Sequence, residues 1–391
     1  MKCNNCNSEW KTGERIAPLL ASCPFCGKSL AKKEEPAVND NRKGAQTGIL
    51  SGVSNVGIAW KSTGDIKNGR GKITWANGDI YEGDFVDGKR TGKGKYVFAT
   101  GEIYEGDFVD GQYLGKGKLT WRNGNVYEGE FVDALRTGKG THVWANGYYY
   151  EGDFVDYKRS GKGKHIWPNG EVYEGDFVDD KRTGRGKYTF ASGEVYEGDF
   201  IADKRSGKGK YTFTSGEVYE GDFIDGKRTG RGRMIFASGN IYEGEFVDGK
   251  RTGRGRYIFT SGNVYEGDFV DGKRTGRGRM TFTSGEVYEG EFVDDKRSGR
   301  GILTWKDGSF YEGEFVDDKR TGKGEFSRPS GMAYKGDFVD NQFHGTGKYT
   351  YNNGEVYEGD FVDGKRSGKG KHTYPGGTAK KGVWSDDNFL G

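Results

Sequence analysis

The sequence is short of the residues that build ordinary cores. Hydrophobic types make up only 32% of its 391 residues. That is too little apolar material for the roughly two or three conventional domains this length would otherwise allow. Proline is scarce, six in all, which excludes a collagen-like Gly-X-Y repeat although glycine supplies 71 residues. Long apolar runs are missing: the longest, Ile16 to Ala21, covers six residues and contains Pro18. A secretory signal core needs about 7–15 apolar residues and a membrane helix about 20. The expected location is therefore cytoplasmic, with a peripheral place at the inner face of a membrane left open. Net charge is small as well. The 61 basic and 58 acidic residues leave +3, which gives no argument for nucleic acid as a partner. Aromatic residues are not scarce, and their 14% share speaks against a disordered chain.

Cysteine is confined to the N-terminal end of the sequence. Cys3, Cys6, Cys23 and Cys26 read C-x2-C, sixteen residues, C-x2-C. Such confinement fits one local site and not a disulfide framework. Each C-x2-C can bend into a knuckle that aims two thiolates at one cation, and two knuckles complete a tetrahedral Zn(Cys)4 shell. Gly27 suits the second knuckle, where a positive φ is often needed. Four thiolates leave no open position on the metal, so Zn2+ is expected to be structural. Residues 1–30 resemble the small zinc ribbons that begin many bacterial proteins. Trp10 is expected to pack on this ribbon. Residues 31–57 are polar and unpatterned and read as a flexible linker.

From Tyr81 the chain repeats with a fixed period of twenty-three positions. Tyr81, Tyr104, Tyr127 and each later tyrosine in the same phase, as far as Tyr357, open thirteen units covering 81–379. A degenerate unit, 58–80, precedes them and a half unit, 380–391, follows. A fixed period with atypical ends marks a linear array with caps. Within the unit YEGDFVDGKRTGKGKYVFATGEI two alternating runs are separated by glycine-rich segments, the pattern of a β-hairpin. Tyr81, Gly83 and Phe85 share one face, and Glu82, Asp84 and Val86 the other. The second run alternates likewise, so one face is aromatic and glycine and the opposite face charged. If Gly88–Thr91 is the turn, Phe85 lies opposite Gly94, Gly83 opposite Tyr96, Tyr81 opposite Phe98 and Asp84 opposite Lys95. The fold class expected is all-β: one elongated antiparallel sheet of tandem hairpins behind a small zinc ribbon.

These units, for example YEGDFIDGKRTGRG at Tyr219–Gly232, resemble MORN repeats (membrane occupation and recognition nexus). The resemblance spans residues 58–391. It implies a scaffold, since proteins with MORN repeats act mainly as scaffolds and some are linked to phospholipids or membrane junctions. The family also includes modules attached to lipid kinases and a methyltransferase, but no such catalytic domain accompanies the repeats here.

Three features are candidate sites. Most turns carry a Lys-Arg pair, including Lys181/Arg182, Lys227/Arg228, Lys250/Arg251 and Lys273/Arg274, and stacked units would align these into a basic edge for anionic lipid headgroups. Aspartates in the same turns offset that charge, so a solubilising edge is the plainer reading. Irregular turns bring Tyr113, Leu114, Leu135 and Tyr157 into consecutive units, a candidate partner-binding or ribbon-docking patch, although drift in a tolerant repeat gives the same pattern. Gln342, Phe343 and His344 form a second irregular turn. The aromatic stripe could bind an extended sugar, but it serves first as the core of a thin sheet. His142, His165 and His372 hold the phase of Tyr96 and are expected to pack in its place.

Catalytic signatures are missing. The GKGK and GRGR runs recur in hairpins and not between a strand and a helix. Paired carboxylates sit on a lysine-matched face. A small-molecule substrate is not expected. The function expected is a non-catalytic scaffold with protein partners, in which the ribbon positions one partner and the array presents an extended surface. Peripheral binding of anionic phospholipids is the alternative, and a carbohydrate-binding aromatic array a weaker one. An exposed sheet is also compatible with a homo-oligomer.

Overall fold

The computed structural model describes Leu50–Val53 and residues 59–391, and all regular structure among them is β-strand. The chain forms two compact units, one ending at Asp203 and one beginning at Lys204. The first opens with β1 (Leu50–Val53), β2 (Ala59–Gly64) and β3 (Gly69–Trp75). It continues through β4 (Ile80–Val86), β5 (Lys89–Val97), β6 (Ile103–Val109), β7 (Gln112–Thr120), β8 (Val126–Val132), β9 (Leu135–Val143) and β10 (Tyr149–Val155). Four more strands between Lys158 and Ile201 complete it. From β1 onward each strand pairs antiparallel with the next, as a meander. The second unit repeats the scheme from Lys204–Thr212 to the two-residue strand Asn388–Phe389.

Alternation explains why these residues form strands. Tyr81, Phe85 and Tyr96 are buried on one face, while Glu82 and Lys95 on the other are exposed. The Tyr81 ring meets Phe85 edge-on at 5.2 Å and Phe108 of the next hairpin at 4.9 Å. Its hydroxyl donates to the Asp84 carbonyl at 3.1 Å, so the one polar atom of a buried ring is satisfied. The same ring contacts recur with Tyr219, Phe223 and Phe246 in the second unit. The core is thus a single layer of interlocked rings on one side of the sheet.

The faces are as the alternation predicts, but the register differs from the expected one by two residues away from the turn and by four beside it. Gly83 stands opposite Gly94, Tyr81 opposite Tyr96 and Phe85 opposite Arg90, with Lys95 opposite Glu82. The turn is the two-residue Asp87-Gly88, with both residues at positive φ, 48° and 78°. That is the type I′ geometry whose twist matches the flanking strands, and it displaces the longer turn at Gly88–Thr91. The remaining two residues are taken up at Gly92 and Lys93, which have no partner on β4 and pair on their other side with Phe108 and Asp107. Rings still nest on bare backbone. Tyr81 folds along its own strand over Gly83 and across to Gly94, where a Cβ would sit 2.6 and 2.7 Å from the ring's Cζ.

Candidate interaction faces

Two faces and one edge remain for function. The register gives Lys89 and Arg90, neighbours in sequence, opposite fates. Lys89 faces Val86 on the charged side and Arg90 faces Phe85 on the ring side. Each Lys-Arg pair is therefore split. Arg182 lies 5.1 Å above the Tyr188 ring and donates from Nε to Asp203 Oδ1 at 3.0 Å and from Nη2 to the Asp203 carbonyl at 3.0 Å. Arg228 stacks over Phe213 and Tyr219. Arg251 lies over Tyr257 and reaches the Gly272 carbonyl, and Arg274 pairs with Asp295 while covering Tyr265. A guanidinium stacked on rings in this way is a packing element of the ring layer, and in Arg182 and Arg274 its donors are also held by the following turn.

The lysines are clasped in a different direction. Lys227, Lys250 and Lys273 hold Asp248, Asp271 and Asp294 of the following turn at 2.9–3.0 Å. Lys181 lacks that clasp, because Ala202 stands where other units carry the aspartate. The turn edge is thus a ladder of exposed ion pairs, each worth little singly.

The irregular turns also divide between the faces. Tyr113 takes the place of an arginine and stacks on Tyr104 at 4.0 Å with an 18° tilt. Phe343 does the same on Tyr334 at 3.9 Å. Tyr157 occupies the turn itself at φ 71°, donates to the Ala134 carbonyl at 3.3 Å and lies under Arg136. Leu135 stands opposite Val132 on the charged face, and Leu114 follows Tyr113 onto that same face. The four candidate residues therefore form no single patch: Leu114 and Leu135 share a face, while Tyr113 belongs to the ring layer. Alternation was the signal that separates them.

The histidines sit in the ring layer. His142 stacks on Trp144 at 3.8 Å, and His165 on Trp167 at 4.1 Å. Arg136 and Arg159 each approach the imidazole Nδ1, at 3.0 and 2.9 Å. Burial first, and then these arginines, pushes His142 down to about 3 and His165 down to about 4. Both are held neutral, with the proton on Nε2 so that Nδ1 accepts from arginine. His372 stacks with Tyr374 and meets Glu355 through Nε2 at 2.9 Å.

In the second unit the charged face forms an open groove of about 1540 Å3. Its floor is glycine backbone, including Gly301, Gly313 and Gly324, and its walls carry cross-strand pairs such as Arg279–Glu289 at 2.8 Å and Lys348–Glu358 at 3.1 Å. Two breaks interrupt the pairing, one of them at Thr346, which stands opposite Asp360 where other repeats carry a cation. At the other, Ile302 replaces the usual cation opposite Glu289 and Glu312, and it is 40% exposed. Glu325 replaces the next cation and is matched by Lys335 at 3.1 Å.

Repeating hairpins of this length, register and ring layer invite comparison with known repeats. Fourteen successive segments, within 63–147 and 150–379, match the MORN repeat. The chain belongs to the MORN-repeat family. The first matched segment, 63–80, falls in the degenerate unit, which is thus a MORN unit as well. No curated protein matches. Among solved structures, the G-box domain of the microcephaly protein CPAP is similar at 14% identity, over 52% of this chain and 100% of that one, with a TM-score of 0.31. The TCP10 domain of Danio rerio CPAP in complex with a peptide of Danio rerio STIL is similar at 14% identity, over 62% and 94%, with a TM-score of 0.26. Cys3, Cys6, Cys23 and Cys26 precede the MORN array and lie outside the described residues. No helix among the described residues is long and apolar enough to cross a membrane.

Proposed function

We propose that this protein is a non-catalytic scaffold whose MORN array receives protein partners on its charged face. The groove of the second unit carries this reading. It is concave, floored by backbone, and lined by paired charges that keep it soluble while Ile302 supplies an exposed apolar contact. Several contacts along such an array raise affinity through effective concentration. The placement of the arginines supports protein partners over anionic lipid, since Arg182, Arg228, Arg251 and Arg274 are engaged with rings, carboxylates or carbonyls. Arginine lids over the rings likewise favour a packing role for the aromatic stripe over sugar binding.

The reading includes a zinc ribbon at residues 1–30 that positions one partner. Its donor set, Cys3, Cys6, Cys23 and Cys26, fits one structural Zn2+ and leaves no open ligand position. A photo-crosslinking residue at Ile302 tests the scaffold reading against one at Phe236 on the ring face. Protein adducts specific to the groove position are expected. Identical adducts from both positions, or lipid adducts alone, would refute it.

A further inference from the structure

The charged face is not uniform along the first unit. Its usual pattern is a cation from each nine-residue strand lying between carboxylates: Lys95 pairs with Glu105 at 2.8 Å, Lys93 with Asp107 at 2.7 Å and Lys89 with Asp110 at 3.3 Å. The pattern returns with Lys158–Asp179, Lys162–Asp176 and Lys164–Glu174. Between these, on β7 to β10, three cations are replaced at once. Gln112 and Leu135 stand in the phase of Lys89, and Thr141 in the phase of Lys95.

Their loss has two effects on one surface. Asp133 and Asp156 stand in the phase of Asp110, but the preceding turns supply Gln112 and Leu135 in place of the clasping lysine. Thr141 faces Glu128 on one side and Glu151 on the other, so these two carboxylates have no cation between them. Each keeps a lysine on its far side, Lys118 and Lys164, and Lys164 is already held by Glu174 at 2.7 Å. Over 126–156 the sequence holds Glu128, Glu130, Asp133, Glu151, Asp153 and Asp156 against only Arg136 and Lys139. Arg136 lies on the ring side and Lys139 is taken by Asp153 at 3.0 Å.

The second effect is apolar. Leu135 on β9 stands opposite Val132 on β8, and Leu114 on β7 shares their face. Val109 and Val132, at 47% and 48% exposed, hold a phase that is apolar and exposed in the other repeats as well, so the two leucines are what this stretch adds, beside Val143 at 41%. Tyr149 pairs with Val143 in register and donates to Glu151 at 2.9 Å. Apolar side chains are thus gathered beside two aspartates that lack the clasping lysine and two glutamates with no cation between them.

We propose that the charged face of β7 to β10 docks a segment of a partner protein that alternates apolar side chains with lysine or arginine. The apolar residues would rest on Val109, Leu114, Val132 and Leu135. The cations would stand where Gln112, Leu135 and Thr141 deprive Asp133, Asp156, Glu128 and Glu151 of the one that other repeats supply. Complementary charge supplies steering and register, and the apolar centre supplies contact area. The proposal rests on the scaffold reading but concerns a different surface from the groove at Ile302, so either can fail alone.

The test restores what the other units carry. The variant Gln112→Lys, Leu135→Lys, Thr141→Lys introduces only residues that neighbouring repeats hold at those phases, so the fold is retained. The probe is a fluorescent peptide of alternating leucine and lysine, with a counterpart in which glutamate replaces lysine, both titrated onto the full chain by anisotropy. The lysine peptide should bind, the glutamate peptide should not, and the triple variant should weaken binding by about tenfold or more. Binding of both peptides alike, an unchanged affinity in the variant, or no binding would overturn the proposal. Concentration-dependent dimerisation abolished by the same substitutions would assign the surface to a second copy and also overturn it.

Discussion

Replacing Gly232 by alanine should destabilise its repeat, and the reason can be isolated. A Cβ at Gly232 would lie 2.5 Å from Tyr219 Cε2 and 2.6 Å from Cζ, with no backbone atom among its nearest neighbours. Forcing a methyl into that contact costs about 1–3 kcal/mol, and the stiffer unfolded chain returns about 0.4–1 kcal/mol. The net loss is therefore up to about 2.6 kcal/mol, with a middle value of about 1.3 kcal/mol. In a Tyr219→Leu background the obstructing ring is gone, so the same alanine should be neutral or slightly stabilising. Gly221 faces the same ring, but its Cβ would also meet Gly232 Cα at 2.6 Å and the Arg231 carbonyl at 2.7 Å. Removing the ring should not rescue Gly221→Ala. Urea melts give the two double-mutant cycles, with hydrogen exchange over 218–235 locating the change, since repeats can open locally. An equal cost for Gly232→Ala with and without the ring would refute the nesting of rings on backbone.

Other predictions test the remaining features. Burial holds His142 at about 3 against an ordinary 6.5, so the unfolded chain takes up a proton well before the folded one. Stability should therefore fall as pH drops from about 6.5 toward 3, by at most about 1.4 kcal/mol per pH unit for this histidine, and His142→Tyr should flatten that slope in melts at pH 7.5 and 5. Arg182→Lys should cost about 1–2 kcal/mol by losing its stack and fork, whereas Lys273→Ala should leave the melting midpoint nearly unchanged; equal losses would contradict the split of the pair. Flotation with phosphatidylserine vesicles should be weak and insensitive to Lys227→Gln with Lys250→Gln. Strong, salt-sensitive flotation lost in that variant would put the lipid reading first. Elemental analysis of the full chain should find one zinc, lost in Cys3→Ser with Cys26→Ser, and a metal-free wild type would remove the ribbon.

Period and faces were legible because strand alternation is local: Tyr81, Gly83 and Phe85 fall on one side wherever the turn is placed. The register was not, because a shift by two or four residues keeps every face and changes only the partners. What decides it is the Asp87-Gly88 turn with Asp87 at positive φ, and the recurring Asp-Gly pair, a residue pattern that two-residue type I′ turns favour, was the signal that could have placed it. The Lys-Arg pairs show the same limit. Read as composition they make a basic edge, yet alternation sends Arg90 beneath the edge and Lys89 to its neighbour's aspartate. Gln112 and Leu135 were visible as irregularities, but the carboxylates they leave short of a cation depend on clasps that reach from one turn to the next. Those emerge only once the strands are paired.

Because each turn is fastened to its successor and not to itself, the array has a rule for changing length. Inserting or deleting one whole unit rebuilds every fastening across the new joint, since what stands on either side is alike. Any other step would strand an arginine without its carbonyl and an aspartate without its lysine. Growth and loss by whole units are therefore nearly free for this architecture, and the thirteen tyrosines in unbroken phase are the trace such a rule leaves in a gene.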